Sequence, residues 1–535
     1  MSVVDRETAT ANGGHYISER EDLPGAKAIA DAAGRSVLDA LLSARQSHGA
    51  KTIALEDGDK RQLSYNDLVR AAAALSRVIK RETKGDVIAI MLPSSAAAAV
   101  AYFAVLAAGR TPAMLNFTAG ETAILAACKL ANVGAILTAN RFLSIAKLEP
   151  LGEALKAAAP VIALEEMRKS VGLKDKAFAA AAVPLKLFPK IAPDDPAAIV
   201  FTSGAEGNPK GVVLTHRNVL ANCEQVVQAL PIEDHDIMFN PLPVFHSYGL
   251  SPGMILPLVI GCRLVLHPSP LRAKEIAQRV AETKPTIILA TDTFLRQYAR
   301  AGDPGSLSSL RYAVCGAERV RHETRELVHS RFGFVVVEGY GVTETSPVLA
   351  ANHPSDIREG TVGKLFPGIE ARLDPVEGLS DGYRLLVRGP NVMAGYLQPD
   401  GAILPPPEGW HDTGDVVVIE DGYVSIRGRL KRFAKIGGEM TSLVTVEQMA
   451  GVVWPDALHA AAALPVGNKG EAIILLTEQQ DADRDALLSH IKAEGHSERF
   501  MPLKIIPVAE IPVLGSGKMD TVAVTRLANE LYGQG

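Results

Sequence analysis

Short apolar runs, rich in β-branched residues, alternate with longer alanine-rich amphipathic stretches through the first two thirds of the chain. The runs fall at 52–55, 87–92, 135–137, 198–202, 263–266, 287–289 and 335–337. Strands apolar on both faces, joined by stretches of helical period, predict βαβ units and parallel sheets covered on both sides. Beyond Gly360 the texture changes. Segments 370–373, 383–388 and 421–427 alternate polar and apolar residues with turn signals close by, which predicts antiparallel strands of a β-rich subdomain. The chain turns basic at 428–432, and a smaller block follows with a predicted strand at 472–476 and a predicted helix at 481–490. The expected fold class is therefore α/β. A large N-terminal domain of two βαβ-type subdomains plus a β-rich subdomain is followed by a small α+β C-terminal domain. The expected boundaries are a polar segment at 1–35, a large domain at 36–428, a connection at 429–432 and a small domain at 433–535.

Composition narrows the class. The chain has 535 residues, 47% hydrophobic and only 5% aromatic, which suits an Ala/Val/Leu-rich enzyme of more than one domain and excludes a disordered chain. A net charge of −5, without a lysine and arginine block long enough for a nucleic-acid stripe, speaks against nucleic acid as a partner. Cys128, Cys223, Cys262 and Cys315 stand alone in sequence, so neither a zinc site nor a disulfide framework is expected. Buried thiols in a reducing, cytoplasmic setting are the simple reading, and 1–35 lacks an apolar signal core. Segment 87–109 is uncharged and long enough to span a bilayer, but Pro93-Ser94-Ser95 divides it into a predicted strand and a serine-capped helix. Peripheral contact with the inner membrane stays compatible with this reading.

The candidate chemistry begins at Phe201-Thr202-Ser203-Gly204-Ala205-Glu206-Gly207-Asn208-Pro209-Lys210-Gly211. Gly204, Gly207 and Gly211 let backbone approach an anion, Thr202 and Ser203 add hydroxyl donors, and Lys210 adds a compact cation suited to phosphate. The same punctuation also suits a plain hairpin turn. Pro209 separates the glycines from Lys210, so the run is not the common P-loop.

The pattern Thr-Ser-Gly-x-x-Gly-x-Pro-Lys-Gly resembles the phosphate loop of the adenylate-forming superfamily of acyl-CoA synthetases, luciferases and peptide-synthetase adenylation domains. It departs at Ala205-Glu206, where that superfamily usually has small hydroxyl residues. Further matches follow in the family's order. The segment 241–249 contains His246, which the resemblance places at the carboxylate pocket. A carboxylate nucleophile has no proton to lose at neutral pH, so His246 is expected to orient the acid rather than act as a base. Cys315-Gly316-Ala317-Glu318 and Glu338-Gly339-Tyr340-Gly341-Val342-Thr343-Glu344 resemble the nucleotide-binding core. By resemblance Gly316, Ala317 and Glu318 border adenine, Tyr340 and Gly341 pack on it, Thr343 reaches the α-phosphate and Glu344 holds Mg²⁺, an ion that favours carboxylate and phosphate oxygens.

The resemblance extends to the smaller block. Thr413-Gly414-Asp415 resembles the motif whose aspartate binds the ribose diol, with Arg429 beside it. Lys431 takes the position of a hinge that makes the small domain mobile. Lys435 with Gly437 and Gly438 matches the loop that admits a pantetheine thiol, and Lys518 matches the lysine of the adenylation step, although Met519 follows where the family has arginine. Within the superfamily these motifs are most similar to the acyl-[acyl-carrier-protein] synthetase half of bifunctional 2-acylglycerophosphoethanolamine acyltransferases. The His-x-x-x-x-Asp motif of their acyltransferase half occurs at none of the histidines here. The resemblance implies ATP and Mg²⁺, a fatty acid, and an acyl carrier protein or CoA as thiol acceptor.

Overall fold

The computed structural model describes residues 7–9, 15–17, 25–203, 209–379, 381–436, 439–466, 471–513 and 519–533. It divides into two compact units. The larger comprises 19–369 and 388–411; the other comprises 1–18, 370–387 and 412–535.

The larger unit is built from two sheets. One runs in the order Ile403–Leu404, Gly395–Leu397, Pro209–Thr215, Pro196–Ser203, Thr111–Met114, Val87–Ile90, Ala135–Thr138, Val161–Ala163. The strands from Pro196–Ser203 to Val161–Ala163 are mutually parallel, as the uniformly apolar runs predict. The second sheet carries the parallel series Ile53–Glu56, Arg263–Leu266, Ile237–Asn240, Ile287–Ala290, Tyr312–Cys315 and Val335–Gly341. Ala135–Thr138 and Ile287–Ala290 are buried at every position. Each buried Val, Ile or Leu contributes roughly 1.5–3 kcal/mol of apolar transfer, enough to make these strands the cores of their sheets.

Local chemistry fixes where the helices begin. Ser95 caps Ala96–Ala107 by accepting from Ala98 N at 3.3 Å, which resolves the uncharged segment as strand, turn and buried helix. Among the described residues no helix is long and apolar enough to cross a membrane. Thr215 and Asn218 form a reciprocal capping box at the start of His216–Ala229, directly after the strand that bears Lys210.

In the other unit, the strands His411–Glu420 and Tyr423–Arg429 pair antiparallel, and Phe433–Ile436 pairs with Glu439–Ser442. A three-stranded sheet of His459–Pro465, Glu471–Thr477 and Lys504–Pro507 is packed by the helices Leu443–Val453, Arg484–Ala493 and Thr521–Gly533. The helix expected at 481–490 lies at Arg484–Ala493, because the Asp483 carboxylate caps it by accepting from Asp485 N at 3.0 Å.

Candidate active site

The strands Pro196–Ser203 and Pro209–Thr215 pair antiparallel with Lys210 opposite Thr202 and Pro209 opposite Ser203. The two segments that flank the glycine-rich run are therefore the arms of an antiparallel pair. Gly204 and Gly207 themselves lie outside the described residues, as do Gly437, Gly438 and Lys518.

Lys210 is the start of a run of contacts through the larger unit. Its Nζ stands 4.7 Å from the centroid of the Tyr396 ring. Tyr396 is placed there by pairing of Gly395–Leu397 with the Lys210 strand, Val212 being its cross-strand partner. The Tyr396 hydroxyl donates to Glu344 Oε1 at 2.7 Å. The short helical turn Thr343–Thr345 holds Glu344, whose main-chain oxygen accepts from Met393 N at 2.8 Å. Next to it, Thr343 Oγ1 and Ser247 Oγ share a hydrogen bond of 3.1 Å. Ser247 follows His246, whose ring lies 4.7 Å from Phe245, itself 4.8 Å edge-on from Phe117. Tyr248 donates to Val314 O at 2.8 Å and lines Gly316, where a Cβ would come within 3.2 Å of its ring.

Folding thus brings Thr202, Lys210, Glu344, Thr343, His246 and Gly316, which are scattered along the chain, into one contact path. Gly341 is required in it, because a Cβ there would meet Pro347 O at 2.0 Å. Tyr340 is buried on the strand Val335–Gly341. Ala317 is exposed and held at φ 71°, an unusual conformation for a residue with a side chain.

A set of carboxylates holds the loop at 316–321. Glu338 accepts from Val320 N at 3.0 Å and from Arg325 at 2.8 Å. Asp292 accepts from Arg321 N and from its guanidinium at 3.1 and 2.8 Å. Glu318 accepts from Thr293 N at 3.0 Å, so its carboxylate is engaged in fastening this loop. Burial pushes the Glu338 carboxyl above its ordinary range, against the opposing pull of Val320 N–H and Arg325.

Glu344 also fits an ion of the magnesium type. Its Oε1 is oriented by Tyr396, and Oε2 takes no hydrogen bond from the described residues. No group of three or more His, Cys, Asp or Glu side chains is gathered for a metal among those residues. One protein carboxylate, completed by substrate phosphates and water, is a normal Mg²⁺ environment.

The other unit carries the remaining candidates. Asp415 is buried and lies opposite Arg429 in the strand pair, with Nε 3.1 Å from its Oδ1. Its own N–H donates to Thr413 Oγ1 at 3.1 Å, which fixes the Thr-Gly-Asp turn. Lys431 sits on the turn Leu430–Arg432. The neighbouring Arg432 closes an ion pair with half-buried Glu447 and donates to Ala461 O at 2.8 Å. Lys435 is exposed, with Nζ 3.8 Å from Glu377 and its N–H donating to Glu471 at 2.6 Å.

All four cysteines are buried, and burial raises each thiol, that of Cys128 to about 11. None is poised as a nucleophile.

Sequence reasoning missed Tyr396. The signal was present as the isolated alternating triplet Gly395-Tyr396-Leu397, but nothing local says that this strand pairs with the Lys210 arm.

Comparison with known proteins bears on the family and the fold. The family model described as AMP-binding enzyme matches residues 42–397. The chain is 30% identical over 417 residues to 4-coumarate--CoA ligase-like 3 of Oryza sativa subsp. japonica, covering 70% of this chain and 68% of that protein. It is 30% identical over 305 residues to the long-chain-fatty-acid--CoA ligase of Salmonella typhimurium, covering 55% of this chain and 54% of that one, so that match spans about half of the Salmonella protein. Among solved structures, the O-succinylbenzoate coenzyme A synthetase of Bacillus subtilis, in complex with ATP and magnesium ion, superimposes with a TM-score of 0.77. It is 22% identical, over 92% of this chain and 99% of that one. At that identity the likeness establishes the fold: mixed α/β with a large N-terminal and a smaller C-terminal domain.

Proposed function

We infer the reaction from one premise: this chain belongs to the AMP-binding enzyme family. It is an adenylate-forming acid–thiol ligase. A carboxylate oxygen attacks the α-phosphorus of ATP, the bond to the β-phosphate oxygen breaks, and pyrophosphate leaves. A thiol then attacks the acyl carbon of the mixed anhydride, giving a thioester and AMP and losing its proton. Both steps ask the protein chiefly for positioning and charge stabilisation.

The observation that carries this reading is the path Lys210–Tyr396–Glu344–Thr343–Ser247, which puts a cation, a carboxylate and three hydroxyls beside the segment of His246. Lys210 and Thr343 neutralise and bond phosphate oxygens. Glu344 holds Mg²⁺, which when bound offsets the charge of the triphosphate. His246, braced by Phe245, orients the acid. Gly316 and Ala317, on the loop that Glu338 and Asp292 fasten, receive adenine together with Tyr340 of the strand Val335–Gly341. Asp415 and Arg429 take the ribose. Lys518 serves adenylation, Lys435 with Gly437 and Gly438 serves the thiol step, and Lys431 at 429–432 is the hinge at which one step gives way to the other.

The acid is a fatty acid, and the acceptor is a phosphopantetheine thiol. The named Salmonella relative, a long-chain-fatty-acid--CoA ligase, supports CoA rather than the acyl carrier protein that the subgroup resemblance favours. The test measures pyrophosphate and thioester with fatty acids of graded length, offering CoA and carrier protein separately. Acid-dependent pyrophosphate release with acyl-CoA formation is expected. Absence of pyrophosphate with every acid would overturn the ligase reading; pyrophosphate with transfer to carrier protein alone would overturn only the choice of CoA.

A further inference from the structure

The helix Leu173–Ala181 has one face committed to the protein. Asp175 is reached by Arg81 at 3.2 Å and Arg77 at 3.4 Å, and the Arg77 guanidinium lies 5.1 Å from the Phe178 ring. Phe178, Ala179 and Ala182 pack with Ala73 of the helix Tyr65–Glu82. At about 100° per residue, the direction opposite this face belongs to Leu173, Ala177 and Ala180, with Lys174 and Lys176 on its two flanks. Those five residues are all exposed, Leu173 by 85%.

The turn that follows extends the same character. Leu185 and Leu187 are 64% and 42% exposed, and Lys186 between them has φ 52°. Hydrogen bonds from Leu185 N to Ala181 O and from Leu187 N to Ala182 O, at 3.0 and 2.9 Å, hold the turn against the helix end. Lys190 is exposed just beyond. Between 173 and 190 four lysines accompany the three leucines, and the single acidic residue, Asp175, is buried.

A lone exposed leucine carries no information. An outward apolar stripe at helical spacing, bordered by lysines whose long stems lift their charge to either side, is the arrangement of an interfacial helix. The charge around the leucines is the complement of an anionic headgroup layer, with the leucines exposed to its acyl boundary.

We propose that the face formed by Leu173–Ala181 and the turn at 184–190 docks on an anionic lipid bilayer. Leu173, Leu185 and Leu187 enter the boundary between headgroups and acyl chains, while Lys174, Lys176, Lys186 and Lys190 meet lipid phosphates. This docking is independent of the ligase reading. Flotation of the full chain with vesicles of equal parts phosphatidylglycerol and phosphatidylcholine tests it. The wild-type chain is expected to float with these, to float poorly with phosphatidylcholine alone, and to release in high salt. Leu185→Glu/Leu187→Glu is expected to lower the bound fraction by about tenfold or more, and Lys174→Gln/Lys176→Gln/Lys186→Gln comparably, both retaining the wild-type circular dichroism spectrum and Tm. Failure of the wild type to bind anionic vesicles, or wild-type binding by both variants, would overturn the proposal. So would a concentration-dependent dimer abolished by the leucine variant, which would make the face a self-association surface.

Discussion

Replacing Tyr396 separates two contacts that no motif announced. Tyr396→Phe keeps the ring beneath Lys210 but removes the proton donated to Glu344 at 2.7 Å. A hydrogen bond to a charged group contributes about 1.5–3 kcal/mol, and partial exposure of this pair puts it at the lower end. About 1.5 kcal/mol corresponds to roughly a tenfold loss in kcat/KM for ATP. The loss should appear together with a higher Mg²⁺ requirement, because Glu344 loses its orientation. Tyr396→Ala also removes the ring. An exposed cation–π contact adds about 0.5–1 kcal/mol, so a further two- to fivefold loss is expected. The assay is continuous pyrophosphate release at varied ATP and Mg²⁺, repeated with Glu344→Ala, which leaves no acceptor for the Tyr396 hydroxyl, as background. In that background Tyr396→Phe should cost little, since both changes break the same contact. A Tyr396→Phe enzyme with wild-type kcat/KM for ATP and an unchanged Mg²⁺ requirement would refute the reasoning.

Three other outcomes are expected. Lys518→Ala should abolish acid-dependent ATP–pyrophosphate exchange while sparing thioester formation from preformed acyl-adenylate; equal loss of both would remove its assigned role. Glu338→Ala strands the Val320 N–H and leaves the nearly buried Arg325 without its carboxylate, at a cost of about 3 kcal/mol in denaturant unfolding; Glu338→Gln, which keeps an acceptor, should cost clearly less. His216 is buried with its Nδ1 accepting from Val37 N at 3.1 Å, and burial lowers its pKa from an ordinary 6.5 to about 4 despite the opposing charges of Asp195 and Asp39. Between those values the unfolded chain binds the extra proton, so stability is full above the upper value and falls with pH through the window, by about 3 kcal/mol at most. Urea midpoints measured down the pH scale should show this slope, and His216→Asn should flatten it.

What the chain order determined by itself was the kind of element and the kind of chemistry. Parallel strands buried on both faces must be apolar throughout, so runs such as 135–137 and 287–289 announced their sheets, and Ser95 announced its helix because an orphan N–H needs a nearby acceptor. The same locality made 201–211 readable as a candidate for anion binding: glycines, hydroxyls and a lysine act through neighbours in sequence. Tertiary structure decided the meeting of Lys210, Tyr396 and Glu344, since strand pairing is set by register between distant segments. It also decided that Glu338, readable only as a motif letter, fastens Val320 N–H and Arg325. Finally, it decided that Leu173, Leu185 and Leu187 face outward. A hydrophobic period shows which side of a helix is apolar, but whether that side meets core or solvent depends on what packs against it, and here Asp175 with Arg77 and Arg81 claims the opposite face.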